Sequence, residues 1–173
     1  YRDSSPKNIV KAMNYLAKKG YKVFRCSKVM KEKLNLENKN IYEYSESELF
    51  NDFMDYYLAY RCKFFVCGDS GFSNLAVLFK KPLVSINYAS IGRVRTWLNY
   101  EIKIFKKYFN KKTNKLMSLS DLINANLDKI TRSEELDQNK IHLVENSEDE
   151  ILNAVIEMEN SLKDNWKIFS ENK

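Results

Sequence analysis

The stretch Lys63-Phe64-Phe65-Val66-Cys67-Gly68-Asp69-Ser70-Gly71-Phe72-Ser73-Asn74-Leu75-Ala76-Val77-Leu78-Phe79-Lys80-Lys81-Pro82-Leu83-Val84-Ser85-Ile86-Asn87 decides how this chain folds. Phe64 to Cys67 and Leu83 to Ile86 are short continuous apolar runs, as expected of strands buried on both faces of a sheet. Between them Phe72, Leu75, Ala76 and Phe79 recur at helical spacing and give one apolar stripe to lay on that sheet. Strand, tight turn, helix, strand is a crossover unit, and such a crossover makes the second strand parallel to the first.

The turn carries the chemical interest. Gly68 and Gly71 allow the backbone to bend and to approach a ligand closely, and Ser70 stands where a helix N-cap belongs. A helix N-terminus at the carboxyl end of a parallel strand suits an anion, with phosphate the natural guest. The same Gly-Asp-Ser-Gly turn equally serves as a plain connection, with Ser70 capping and Asp69 complementing the helix dipole.

Towards the N-terminus, Ser4-Ser5-Pro6 reads as a helix start, Ile9, Met13, Leu16 and Ala17 as its buried stripe, and Gly20 as its end. Tyr21 to Cys26 reads as a strand, followed by a polar loop to Asn40 that can hold a short helix, and Ile41 to Tyr44 as a second strand. Ser45 and Glu48 match a capping box ahead of a helix with Leu49, Phe50, Phe53, Met54, Tyr57 and Leu58 on its apolar face. Helices thus alternate with strands, and the expectation is an α/β layered domain with a mostly parallel sheet, flanked by helices and spanning residues 1–173.

Beyond Asn87 the pattern weakens. Tyr88 to Tyr100 reads as a loop with a helical turn, Ile102 to Phe105 as a short strand, Ser118 to Asn126 as a helix and Ile141 to Val144 as a strand. Ser147 caps a last helix with Glu148, Asp149 and Glu150 in its first turn and Ile151, Val155, Met158 and Leu162 on its buried face; Trp166 and Phe169 are placed to pin the tail. Lys103, Lys106, Lys107, Lys111, Lys112 and Lys115 cluster around Tyr108 and Phe109. Such clusters are commonly solvated surface; the functional alternative is attraction to an anionic membrane or a lipid-phosphate-linked acceptor.

Composition narrows the classes. With 44% hydrophobic and 30% charged residues the chain is globular in composition, and it has no apolar run of membrane-spanning length and no signal-peptide pattern. It begins at Tyr1-Arg2-Asp3 without Met, which reads as part of something longer. Cys26, Cys62 and Cys67 fit no zinc spacing and read as buried reduced thiols of a cytoplasmic protein; the single His142 excludes a His-rich metal site. The net charge of +6 favours anionic partners: a nucleotide, a phospholipid surface or nucleic acid.

Arg25 closes the strand Val23-Phe24-Arg25. If that strand runs parallel to the central one, its guanidinium reaches the same carboxyl edge as the Gly68 turn and can pair with the same phosphate; alone it is an ordinary surface arginine. Here a resemblance enters. Cys62 to Gly71, continuing through Phe79-Lys80-Lys81-Pro82 to Asn87, resembles the nucleotide-sugar-binding half of GT-B glycosyltransferases, above all a group encoded in bacterial surface-polysaccharide loci. Lys19 to Arg25 is similar to that group's Gly-Tyr-x-Val-x-Arg element, Tyr1 to Ser5 to its Arg-Asp segment, and His142 to Ile151 to its closing strand and helix.

The resemblance implies a Rossmann-like donor domain, one half of a GT-B fold, with the N-terminal acceptor domain outside this chain. Arg25, Gly68, Asp69, Ser70 and Gly71 would line the donor phosphates, Arg2 and Asp3 would border the pocket, and Asn87 would lie at the next strand end. No catalytic residue is assigned. Cys26-Ser27 stands where a glycine usually follows the arginine, and Asn74 where related transferases often carry His. Sugar transfer of this kind can proceed without a metal, because an arginine and helix N–H groups can stabilise a departing diphosphate, and no metal or cofactor is expected. The expected partners are a nucleotide sugar and a glycan or lipid-linked acceptor, with contact to the inner face of the membrane through Lys103, Lys106, Lys107, Lys111 and Lys112.

Rival readings remain. A nucleotide-sugar 2-epimerase shares the fold but would need carboxylates and a histidine near the phosphates. A serine hydrolase would use Ser70 and His142, yet Phe72 spoils the Gly-x-Ser-x-Gly elbow. A non-catalytic nucleotide-binding or interaction domain would keep the fold without transfer. Nucleic-acid binding rests only on charge and the Lys103 to Lys115 cluster, with no recognised motif, and ranks last.

Overall fold

The computed structural model describes residues 1–26, 34, 36 and 38–163. The central unit forms as its pattern predicts: β3 (Phe65–Cys67) runs parallel to β4 (Leu83–Tyr88), and β5 (Glu101–Phe105) extends the same sheet in parallel on the far side of β4. All six residues of β4 are buried, which explains its continuous apolar character. Val84 and Ile86 join Ile102 and Ile104 on one face, beneath α1 (Val10–Lys18) and α6 (Glu148–Lys163). Leu83 and Phe65 turn to the other, against Ala59 of α2 (Asp52–Arg61) and Ala76 of α3 (Ser73–Leu78). The period-two alternation of a strand thus supplies both layers.

The architecture is α/β, with parallel sheets flanked by helices, but not the single mostly parallel sheet expected. Strands β1 (Val23–Arg25) and β2 (Ile41–Glu43) pair in parallel as a separate two-stranded sheet, and among the described residues no ladder joins β1 to β3. A third sheet is antiparallel: β6 (Lys107–Asn110) lies between β7 (Lys115–Leu116) and β8 (Ile141–Val144). The chain reverses after β6 because the Asn110 side chain accepts the N–H groups of Lys112 and Thr113 and Asn114 adopts a positive φ of 56°. Its core is Tyr108, Leu122, Leu127, Ile130, Leu136 and Ile141, under α4 (Leu119–Asn124) and α5 (Ser133–Gln138).

Helix ends show which local expectations hold. Ser5 caps a 3-10 turn over Pro6–Ile9 that leads into α1, and Gly20, at φ 88°, closes that helix. Ser118 and Asp121 form a capping box on α4, and Ser147 and Glu150 exchange the same pair of bonds at the start of α6. Two expectations are overturned. Ser45 and Glu48 make no capping box: Tyr44–Glu46 is a 3-10 turn, the Tyr44 hydroxyl bonds both backbone groups of Asn51, and Asn51 caps α2 through the Met54 N–H at 2.9 Å. The expected apolar face of α2 is largely turned outward, with Leu49, Phe53 and Tyr57 exposed.

Most of the Ser27-to-Asn40 loop lies outside the described residues, as do Trp166 and Phe169. No helix among the described residues is long and apolar enough to cross a membrane.

Candidate functional site

Between β1 and β3 lies a cavity of about 600 Å³, a size typical of small-molecule sites. Arg25 from the end of β1 and Gly68 and Ser70 from the turn after β3 line it together, with Ser4 and Ser5 from the N-terminal segment. The two predicted phosphate elements therefore share one space. Lys22, Arg25, Arg61 and Lys63 are on its wall, and no carboxylate or imidazole is among the described residues that line it. That charge balance suits an anion. Deeper in, Ala12, Met13, Leu16 and Phe64 make the wall apolar.

The turn itself differs from its expected form. The Ser70 N–H donates to the Gly68 carbonyl at 2.8 Å, and the Ser70 carbonyl accepts both the N–H and the hydroxyl of Ser73. This extra bend delays the helix, so Phe72 occupies the cap position and the Ser70 side chain caps nothing. The helix is six residues long, too short to supply the anion site its sequence suggested. Gly68 and Gly71 both have ordinary φ values; a Cβ at Gly71 would meet nothing within 4 Å, and at Gly68 only the Ile86 carbonyl at 3.8 Å. Neither glycine is demanded by the protein's own packing.

Arg25 is held by Glu43 across the β1–β2 pair, where the two residues are in register, with Nη1 at 2.9 and 3.1 Å from the carboxylate oxygens. Both side chains are mostly buried, so the pairing fixes the guanidinium at the cavity wall. A phosphate arriving there would compete with Glu43 for the same donors.

Asn87 sits at the carboxyl end of β4 with φ 51° and is fully buried. Its backbone N–H donates to Asn146 Oδ1 and its Oδ1 accepts the Asn146 N–H, both at 2.6 Å, while its Nδ2 has no hydrogen-bond partner among the described residues. It does not line the cavity. Arg2 and Asp3 do not line it either: Arg2 lies over the Tyr1 ring, and Asp3 lends its carbonyl to Lys106. Lys106 is buried and also donates to the Tyr1 carbonyl at 3.2 Å; burial lowers its pKa. Glu145 accepts the Ser5 N–H and the Asn8 amide, each at 2.9 Å. Residues 1–5 are thereby strapped across the edge where β5 ends, which places Ser4 and Ser5 at the cavity.

The sequence reading did not single out Arg95, whose Nη2 reaches Asn74 Oδ1 at 3.0 Å and Ser73 Oγ at 3.5 Å over the start of α3. Nor did it find the pair of Glu101 and Lys103, 2.9 Å apart with side chains only 5% and 9% exposed. Ser85 donates to the same Glu101 oxygen, and the Lys103 ammonium lies 4.1 Å from the Tyr88 ring centroid. Glu-x-Lys on a strand, two residues apart and hence on one face, was the available signal.

The lysine cluster does not form one exposed face. Lys103 and Lys106 are buried, Lys107 pairs with Glu150 at 2.6 Å, and Lys111 and Lys112 are exposed at the β6–β7 turn. No group of His, Cys, Asp and Glu suited to a metal occurs among the described residues. No protein-family model, curated protein or solved structure matches this chain.

Proposed function

We propose that the cavity between β1 and β3 binds the diphosphate of a nucleotide sugar, and that the chain is the donor-binding half of a GT-B glycosyltransferase acting on a polysaccharide or lipid-linked acceptor. One observation carries the reading: Arg25, Gly68 and Ser70, from two separate sheets, line one cavity in which the charged side chains among the described lining residues are all cationic. In this reading the Arg25 fork and the Ser70 hydroxyl hold the phosphates, and the Arg25 fork stabilises the charge that develops as the diphosphate leaves. Asp69 and Gly71 complete the turn without lining the cavity.

The absence of a carboxylate or imidazole among the described lining residues favours a second reading beside it, a domain that binds the nucleotide and transfers nothing unaided. A base supplied by an acceptor domain would reconcile the two.

Calorimetric titration with a panel of nucleoside diphosphates tests the site, on the wild type and on Arg25→Ala and Gly68→Val. One nucleotide should bind, with the arginine change weakening it by about 10- to 100-fold, the loss of a charge-assisted hydrogen bond. Absence of binding to any of them, or equal binding by folded variants, overturns the proposal. Release of sugar from the matching donor then separates transfer from binding alone.

A further inference from the structure

The exposed face of α2 carries an aromatic stripe. Phe53, Tyr56, Tyr57 and Tyr60 follow one another at i, i+3, i+4 and i+7, so they form a single stripe, and they are between 46% and 73% exposed. Phe53 and Tyr57 stack with ring centroids 6.4 Å apart, and Tyr56 and Tyr60 both meet the edge of Phe79 just past α3. Leu78, 62% exposed, widens the patch on the α3 side. A helix that buries its aromatic residues contributes to a core; this one buries Ala59 and turns its rings out.

The chemistry of the patch selects its partner. Three of the four rings are tyrosines, whose apolar body and hydroxyl tip suit a boundary between an apolar and a wet phase such as the headgroup region. Cations gather at one end: Arg61 closes α2, Lys80 is exposed, and the Lys81 ammonium lies 5.4 Å from the Tyr60 ring centroid. No ion pair to these three forms among the described residues. The acids of the helix sit at its other end, where Asp52 flanks the stripe and Asp55 acts on Tyr44 and Cys26.

We infer that this face docks on an anionic phospholipid surface, the rings entering the headgroup region and Lys80 and Lys81 pairing with lipid phosphates. The inference is independent of what the cavity binds. It also moves the membrane contact away from the Lys103–Lys112 segment, where two of the five expected lysines are buried.

Flotation with vesicles of phosphatidylcholine alone, and of phosphatidylcholine mixed with phosphatidylglycerol, tests it directly. The protein should float with the anionic vesicles only and be released by salt. Tyr56→Ser with Tyr60→Ser, and separately Lys80→Glu with Lys81→Glu, should each weaken binding at least ~10-fold. Circular dichroism checks that the variants fold, and Phe53→Ser at the far end of the stripe provides an independent variant. No flotation at low salt, or flotation unchanged in folded variants, overturns the inference. So does a dimer in analytical ultracentrifugation that the tyrosine changes dissolve while lipid binding persists, because the stripe would then belong to a second copy.

Discussion

Asn87 and Asn146 hold each other by the backbone: the side-chain oxygen of each accepts the main-chain N–H of the other at 2.6 Å, and Asn146 Nδ2 donates to the Phe105 carbonyl at 2.8 Å. This clasp ties the end of β4 to the junction of β8 and α6, and it holds Asn87 in a left-handed conformation that costs most residues about 1 kcal/mol or more. The parallel sheet and the antiparallel one are fastened here.

Removing the clasp should be expensive. Asn146→Ala leaves a buried N–H of Asn87 and the Phe105 carbonyl without these partners, a cost of about 3 kcal/mol at 1–3 kcal/mol per orphaned group. Asn87→Ala loses the reciprocal bond and keeps the backbone strain, whereas Asn87→Gly relieves the strain and should recover roughly 1 kcal/mol of the loss. Urea denaturation of the three variants checks the order.

Glu43 should restrain the proposed phosphate site. With Glu43→Gln the carboxylate that now occupies Arg25 Nη1 becomes a neutral amide, so nucleoside diphosphate affinity should rise by a few fold even as the fold is weakened by ~1 kcal/mol. Calorimetry on this variant beside Arg25→Ala separates competition from collapse, since the two changes break the same pair and should move affinity in opposite directions.

The Glu101–Lys103 pair should be far more sensitive to losing one partner than to losing both. Lys103→Met strands a buried carboxylate and is expected to cost about 3–5 kcal/mol, while Glu101→Leu combined with Lys103→Met removes both charges and should restore much of it. Thermal or urea unfolding of the single and double variants decides the matter.

Alkaline pH should unfold the protein early. Burial pushes Cys26 and Cys67 up to about 12 and Cys62 to about 11 from an ordinary 9.0, and Tyr108 up to about 12 from 10.0. Above pH 9.0 the unfolded chain gives up thiol protons that the folded chain retains, so the unfolded state binds fewer protons and stability falls as pH rises towards about 12. The contribution is complete below pH 9.0. Urea midpoints across this range should therefore decline, and Cys67→Ala should flatten part of the decline. The same burial keeps the thiols protonated near neutrality, so iodoacetamide should label them slowly until denaturant is added.

Local order along the chain was legible because it depends on neighbours in sequence. The apolar runs around β3 and β4, the Ser147 cap and the Gly20 stop each rest on residues within one or two turns, and each is where its pattern placed it. Arg25, Gly68 and Ser70 were chosen by the same logic, since strand ends of a parallel fold share an edge. Tertiary structure alone decided what those residues meet. That β1 pairs with β2 and leaves a cavity beside β3, that β6 and β8 run antiparallel, and that Glu43 takes Arg25 are outcomes of long-range packing. The lysine run shows the same limit: charge is a property of sequence, but burial of Lys103 against Glu101 and of Lys106 against the carbonyls of residues 1–5 depends on which chain segments lie opposite. The α2 rings complete the contrast, because a helical apolar spacing specifies a stripe and only the surrounding fold determines whether that stripe faces the core or the outside.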